Sequence, residues 1–503
     1  MPATDATPGA GVAAEADRGG SRVAFPGAAA RTRLPAPQTL VVIAAAVAGA
    51  RLGLRPISDN STLVHLRTGL EMLRTGHVPR ADPYSFSAPG HPWVVQSWLA
   101  SLLYAVAYRA GTHLLVIVQA ALMAATAVVV ALAARSTTAW RSAVATTIAI
   151  AASAPGWSPR PLMFEVLCLA LVVVLVERGV NPLWLLPVVW VWVNTHGSYP
   201  LGLAWLGARS VGELLDTRAW PRRALVRLGA FVAGLVVALA NPLGWHLLTF
   251  PFVALHKRAV FQGIVEWRSP NFQSANSLVA LVCIAAALVV LFRARLPWAD
   301  TLPVIGFLAL ALVAERNLAP LGVVLAPAMA HALCGAAPAA PSRVRDRIDG
   351  IGRSAPWRAA VTCIAVLGAV GLGIRSAGQP VLNLSSYPVA ATDFLAATGR
   401  LGPGHRVAEI DVVGCYLVWR AGPSTKVFID DRYDMYPASV VSDAGTLGAA
   451  QGGEGRVLDA YHVDTVLWSS NGALTGVLQS KDGWHQAFDD GHWVVLERPT
   501  RSP

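Results

Sequence analysis

Charge is scarce in this 503-residue chain: 14% of residues are Asp, Glu, Lys or Arg, against 54% that are hydrophobic. Soluble domains carry about 25% charged residues, so the chain as a whole does not read as soluble. Lysine is nearly missing, with Lys257, Lys426 and Lys481 its only occurrences. The five cysteines form no CxxC pair; Cys168, Cys283, Cys334 and Cys363 lie in apolar runs and Cys415 stands alone. Neither a disulfide framework nor a thiolate metal site is indicated. GxGxxG, Walker loop, HExxH and GxSxG motifs are all lacking, which speaks against cytosolic nucleotide chemistry. No basic face is interleaved with aromatics, so nucleic acid is not an expected partner. No compact basic leader precedes an apolar core at the N-terminus. Residues 1–34, rich in Ala, Gly and Pro, read as a disordered cytoplasmic tail.

What is abundant is apolar runs close to the ~20 residues that cross a bilayer. They fall near 37–54, 113–134, 142–157, 162–176, 182–196, 199–215, 225–245, 273–292, 297–314, 318–334 and 358–374. The expectation is an α-helical polytopic membrane protein of about eleven spans. Residues 95–110 are apolar but short, with Trp98, Tyr104, Tyr108 and Arg109, and read as a surface helix. Counting them as a span would place the Arg clusters of most later loops outside, against the positive-inside rule. With the N-terminus inside, Arg135, Arg141, Arg178, Arg218, Arg222, Arg223, Arg227, Arg293, Arg295 and Arg343–Arg358 fall inside. The outer turns are mostly poor in basic residues. Lys257, Arg258 and Arg268 in the 247–272 loop are the exception. Basic residues outnumber acidic 31 to 15 up to residue 375; beyond it the balance is 9 to 14. The expected division is a tail at 1–34, a transmembrane part at 35–375 with a large outer loop at 55–112, and an extracytoplasmic domain at 376–503.

That outer loop is the long polar stretch of the apolar part. It carries Asp59, His65, Arg67, Glu71, Arg74, His77, Arg80, Asp82 and His91 among aromatics. Asp59 at the outer end of the first span suits a base or a cation ligand, and equally an N-cap for a helix at 63–73. Arg67 could hold a phosphate, or pair with Glu71 four residues on. Asp82 in Ala-Asp-Pro-Tyr is either a turn residue or a substrate contact. Arg160-Pro161 opens an outer helix, where an anion would be favoured or where Arg anchors the interface. Glu165, one turn deeper, is an intramembrane carboxylate and so a functional candidate. Trp190–Gly197, with Asn194 and His196, and Asn241–His246 each close a span with polar groups. Glu266-Trp267 follows a stretch at 247–264 that could be an amphipathic helix. Arg316 sits beside Glu315 at another outer end, where a local ion pair is the plain alternative.

In the tail, 389–397 reads as helix and 438–460 as loosely helical. Residues 407–410, 426–429 and 465–468 read as short strands. Residues 485–488 and 492–497 flank Asp-Asp-Gly as a hairpin. A small α/β domain is expected. Its Asp430-Asp431-Arg432-Tyr433-Asp434 run follows a strand, a common place for sites, although an acidic loop is usually just solvated.

The first loop resembles the GT-C superfamily of membrane glycosyltransferases. Asp59 after the first span, then His65-Leu66-Arg67, then the Trp98–Gly111 surface helix match its pattern. Over about 37–498 the chain is also similar to a bacterial group of glycosyltransferase-like membrane proteins. The shared pieces are Asp82–Phe86, Arg160-Pro161, Asn194–Gly197, Asn241–Trp245, Glu266-Trp267 and Lys426–Arg432. Where that pattern often has a second Asp this chain has Ser61, and its aromatic pair is replaced by Leu63-Val64.

The resemblance implies transfer of a sugar from a polyprenyl-phosphate donor to a cell-envelope glycan, lipid or protein, at the outer face of the cytoplasmic membrane. Asp59 would be catalytic, with Mg or Mn as the possible cation. Arg67, Arg160 and Arg316 would hold the lipid phosphate. His65, Asp82, Asn194, His196, Asn241, Glu266 and Trp267 would line the substrate site. A non-catalytic envelope scaffold and a lipid-linked-substrate transporter are the alternatives.

Overall fold

Helices in the apolar part cross where small residues let backbones touch. A Cβ on Gly49 would lie 2.4 Å from the Met123 carbonyl oxygen, and one on Gly53 would lie 2.5 Å from the Ala120 Cα. This small-xxx-small pair packs α1 (Pro37–Gly53) on α4 (Thr112–Ala133), the way helices associate where lipid removes the hydrophobic drive. The computed structural model describes residues 35–261, 264–335, 350, 354–481 and 483–498. The N-terminal tail and most of the arginine-rich stretch at 343–353 lie outside the described residues.

Between and after those two helices come α2 (Asn60–Thr75), α3 (Trp98–Ala110), α5 (Ala139–Ser153), α6 (Leu162–Glu177), α7 (Leu185–Thr195), α8 (Pro200–Thr217) and α9 (Arg222–Val237). They are followed by α10 (His246–His256), α11 (Arg258–Phe261), α12 (Ala275–Ala294), α13 (Trp298–Val313), α14 (Leu318–Gly335) and α15 (Ala355–Ala377). Four stretches are long and apolar enough to cross a bilayer: Thr112–Ala133, Ala275–Ala294, Glu315–Gly335 and Ala355–Ser376. Shorter apolar helices lie at Pro37–Gly53, Pro182–Thr195, His246–His256 and Trp298–Val313. The protein is a helical, multi-pass membrane protein; the count of eleven spans remains an expectation. The stretch at 247–264 resolves into α10 and the single turn of α11.

At the far end of α6 from Arg160, the sequence suggested nothing beyond topology-setting arginines. The structure instead closes an ion cluster there. Arg209 lies 2.7 Å from Glu177, 3.1 Å from Asp300 and 3.5 Å from Glu213, and His331 lies 2.8 Å from Asp300. With these charges satisfying one another, the cluster reads as a clamp between α6, α8, α13 and α14.

The tail builds a four-stranded sheet in the order β1 (Val407–Ala408), β2 (Thr465–Ser469), β4 (Trp493–Glu497), β3 (His485–Asp489). β1 runs parallel to β2, and the other pairs are antiparallel. The expected hairpin is β3–β4, turning at Gly491 with φ 85°. Helices α16 (Val389–Ala397), α17 (Asp411–Ala421), α18 (Ala438–Ala449), α19 (Glu454–Ala460) and α20 (Ala473–Lys481) complete it. Residues 426–429 do not join the sheet; Val427 instead bridges Ser85 of the first loop. Ile57 bridges Leu382 likewise, and one hydrophobic core runs through both parts.

Much of the loop's polarity is spent on this seam. Asp82 caps its own turn, accepting from the Tyr84 amide (3.0 Å), and pairs with Arg432 (2.8 Å). Arg432 also pairs with Asp430 (2.6 Å), and its guanidinium lies over the rings of Trp93 (4.5 Å) and Tyr84 (4.9 Å). Lys426 Nζ donates to the Pro83 carbonyl (2.5 Å).

Candidate active site

The N-terminus of α2 starts the site. Asp59 is its N-cap, with Oδ1 accepting from the Ser61 amide (3.0 Å). Thr62 Oγ1 donates to the Pro159 carbonyl (3.2 Å), which brings the cap against the segment entering α6. Arg160 Nε then donates to Asp59 Oδ2 (2.6 Å), while its Nη1 donates to Glu266 Oε1. One guanidinium therefore joins the first loop, the start of α6 and the 265–267 turn. Burial raises the Asp59 carboxyl, against the pull of Arg160.

One turn into α6, Glu165 is buried and lies 3.1 Å from His196 Nδ1, whose ring also contacts Ser198 Oγ at 2.8 Å. Arg316 approaches the same carboxylate at 4.0 Å and stacks over Trp267, 4.7 Å from the ring centre. The local Glu315–Arg316 pair does not form; Glu315 instead accepts from Ser277 Oγ (3.2 Å). His65 Nδ1 shares a hydrogen bond with Ser101 Oγ (2.9 Å). Burial, followed by the nearby His196 and Arg160, lowers His65 to about 3, so it is a neutral imidazole at working pH.

His65, Arg160, Glu165, His196, Glu266 and Arg316 line a cavity of about 490 Å³, together with Asn60, Ser61, Gln96, Asn317 and the aromatics Phe250 and Phe261. The opposite wall comes from the tail: Asp411, Asp431, Tyr433 and Asp434. Asp431 is held from three directions. Gly414 in α17 passes the Ile429 carbonyl so closely that a Cβ would lie 1.8 Å from its oxygen. Glu409 Oε1 accepts from the amides of Phe428 (2.6 Å) and Ile429 (3.1 Å). Cys415 Sγ accepts from the Asp431 amide (3.4 Å) and from Asn60 Nδ2 (3.6 Å). A cavity of this kind, with an apolar rim and few convergent polar groups, is the usual form of a small-molecule or lipid-headgroup site.

Solved structures share this architecture. The oligosaccharyltransferase of Archaeoglobus fulgidus superposes with a TM-score of 0.54, over 86% of this chain and 69% of its own, at 12% identity. ArnT of Cupriavidus metallidurans superposes at 0.51, over 91% of this chain and 97% of its own, at 16% identity. The chain has a GT-C-like fold. No protein-family model matches the sequence, and no curated protein matches it.

On this GT-C-like frame the expected site residues divide. Arg160, Arg316, His65, His196, Glu266 and Trp267 line the cavity, and Asp59 stands behind Arg160. Arg67 is not among the lining residues; it pairs with Glu71 (3.7 Å) and lies beside Gly422. Asp82 belongs to the Arg432 seam. Asn194 is buried, accepting from Trp98 Nε1 (2.8 Å) and donating to the Trp190 carbonyl (2.7 Å). Asn241 closes its own turn through Ala238, Gly244 and Leu243. Asp411 has no place in the sequence reading, and Asp431, Tyr433 and Asp434 belong there to one acidic run read mainly as a solvated loop.

The residues do not fit a resident divalent cation. Both Asp59 oxygens already accept hydrogen bonds, one of them from a cation. Among the described residues, no group of three or more His, Cys, Asp and Glu side chains could hold a metal ion.

Proposed function

We propose that this protein is a glycosyltransferase that takes a sugar from a polyprenyl phosphate and gives it to a cell-envelope acceptor. The observation that carries the reading is the meeting of Arg160 and Arg316 in one cavity, at one end of an apolar helical bundle with a GT-C-like fold. A lipid-linked phosphate brings its own membrane anchor and its own leaving group. Two guanidiniums provide planar donors for that anion, and preorganised positive charge stabilises it as it departs. Asp59 and Glu266 orient Arg160, and Glu165 and Trp267 orient Arg316. Neutral His65, together with His196 and Gln96, supplies hydrogen bonds for sugar hydroxyls.

By the positive-inside reading the cavity opens on the outer side of the cytoplasmic membrane, and residues 376–503 form an extracytoplasmic domain that closes over it. The test uses full-length protein in nanodiscs with radiolabelled undecaprenyl-phosphate sugars and an envelope extract as acceptor. Wild type should consume lipid-linked sugar, and Arg160→Ala and Asp59→Ala should not. Consumption unchanged in both variants would discard this site.

A further inference from the structure

Several carboxylates surround the cavity, and most already have partners. Asp59 gives one oxygen to a backbone amide and the other to Arg160. Glu266 is paired with Arg160, Glu165 with His196, and Asp430 with Arg432. Asp431 differs. It lines the cavity, its carboxyl takes the hydroxyl of Ser61, and its backbone is fixed by Gly414, Glu409 and Cys415.

We propose that Asp431, supplied by the C-terminal domain, is a catalytic residue that accepts the proton of the acceptor hydroxyl. The proposal rests on the glycosyltransferase reading above. In the step, the acceptor oxygen bonds to the anomeric carbon. The bond from that carbon to the phosphate oxygen breaks, and its electron pair leaves on the phosphate. The proton from the acceptor hydroxyl passes to the Asp431 carboxylate. The phosphate leaves with one more negative charge, held against Arg160 and Arg316, while Asp431 becomes neutral, so no further reactant is required.

The surroundings suit a base that works near neutrality. The charged and titratable groups facing Asp431 are Asp430 and Tyr433 on its own segment, Asp59 and Arg160 across the seam, and Cys415 and Tyr387 within the domain. Asp411 shares the cavity wall. Burial, then Asp430, push the Asp431 carboxyl up to about 7, while Arg160 and the Ser61 hydroxyl pull the other way. A carboxylate balanced there is about half ionised at neutral pH, and its ionised form is basic enough to take a proton.

The test is a pH–rate profile of the full-length protein in nanodiscs, with the same donors and envelope extract. Wild-type kcat should fall on a single-proton limb below pH about 7. General-base catalysis contributes roughly 10²–10⁴-fold, so D431N should lose at least about 100-fold in kcat and flatten that limb, while still binding donor lipid. D431E should recover part of the rate. S61A should move the limb to higher pH, because the hydroxyl bond favours the charged carboxylate. D431N with the wild-type rate and limb overturns the proposal and leaves the glycosyltransferase reading standing. Loss of donor binding in D431N without rescue by D431E shows a merely structural residue and overturns it as well. No wild-type turnover with any donor overturns both readings.

Discussion

Arg432 and Arg160 each sit between two carboxylates, and their surroundings separate them. The Arg432 side chain is 5% exposed, its partners Asp82 and Asp430 are closed to solvent, and Trp93, Tyr84 and Tyr436 surround its guanidinium. The Arg160 side chain is 26% exposed, with Asp59 at 13% and Glu266 at 42%, on the wall of an open cavity. The first arrangement locks the C-terminal domain onto the first loop. The second leaves an arginine that can exchange Glu266 for an incoming anion. Identical chemistry serves as a clasp when sealed and as a site when open.

Breaking the clasp should have the largest effect. Arg432→Met leaves Asp82 and Asp430 buried without a counter-charge, which typically costs about 3–5 kcal/mol. The thermal midpoint in nanodiscs should drop sharply, and limited proteolysis should release the tail. Adding Asp82→Asn and Asp430→Asn to the same protein should recover part of the loss. A midpoint unchanged by Arg432→Met would refute the clasp.

Arg160→Ala sharpens the contrast in the opposite sense. Loss of one preorganised transition-state donor costs about 10²–10³-fold in rate, whereas an ion pair as open as that to Glu266, 42% exposed, contributes about 1 kcal/mol or less. Turnover should collapse while the midpoint, lowered by an Asp59 left without its counter-charge, falls less than in Arg432→Met. Should the midpoint fall as far as in Arg432→Met, Arg160 would belong to the structural class too.

These two arginines also show how far the sequence could be read. The apolar runs predict most helix positions within a few residues, because length and hydropathy are local properties. Asp59 as an N-cap and Arg67–Glu71 as a pair follow from helical spacing. The meeting of Arg160, His196, Glu266 and Arg316 was foreseen only as a shared side of the membrane. Nothing in the local sequence of Asp82 says that it shares Arg432 with Asp430, since Asp82 lies 350 residues from that arginine along the chain. Helix α17 was missed because its short apolar run follows a strand directly. With it went Gly414, the contact that aims Asp431 into the cavity. Ser61 looked like a departure from the family pattern; in space its hydroxyl meets Asp431.

At Asp431, stability and activity should move in opposite directions. Its carboxyl is raised in the folded protein from the ordinary Asp value of 3.8 to about 7. Between those values the folded state binds more protons than the unfolded state, so stability falls as pH rises through that window. The Asp431 contribution is therefore intact below pH about 4 and lost above about 7. Asp431→Asn, which cannot ionise, should be more stable than wild type at pH 8, by on the order of 1 kcal/mol once partial solvation is allowed for. The two proteins should converge toward pH 5. Midpoints measured at both pH values test this, and equal midpoints at pH 8 would mean that Asp431 is not held at a destabilising site.

The smallest effect expected is at Trp267. Its ring carries the Arg316 guanidinium at 4.7 Å, and such cation–π contacts are worth about 0.5–2 kcal/mol. Trp267→Leu keeps an apolar surface but removes the ring face, so Arg316 loses its platform while Glu165 remains nearby. Donor KM should rise a few-fold, within the range that free energy allows, with kcat nearly unchanged and the thermal midpoint close to wild type. Trp267→Phe should restore most of the affinity. If Trp267→Leu instead lowered kcat as strongly as Arg160→Ala, Arg316 would have to act in the transition state as well as in binding. The two arginines of the cavity would then share the leaving phosphate more equally than their different surroundings suggest.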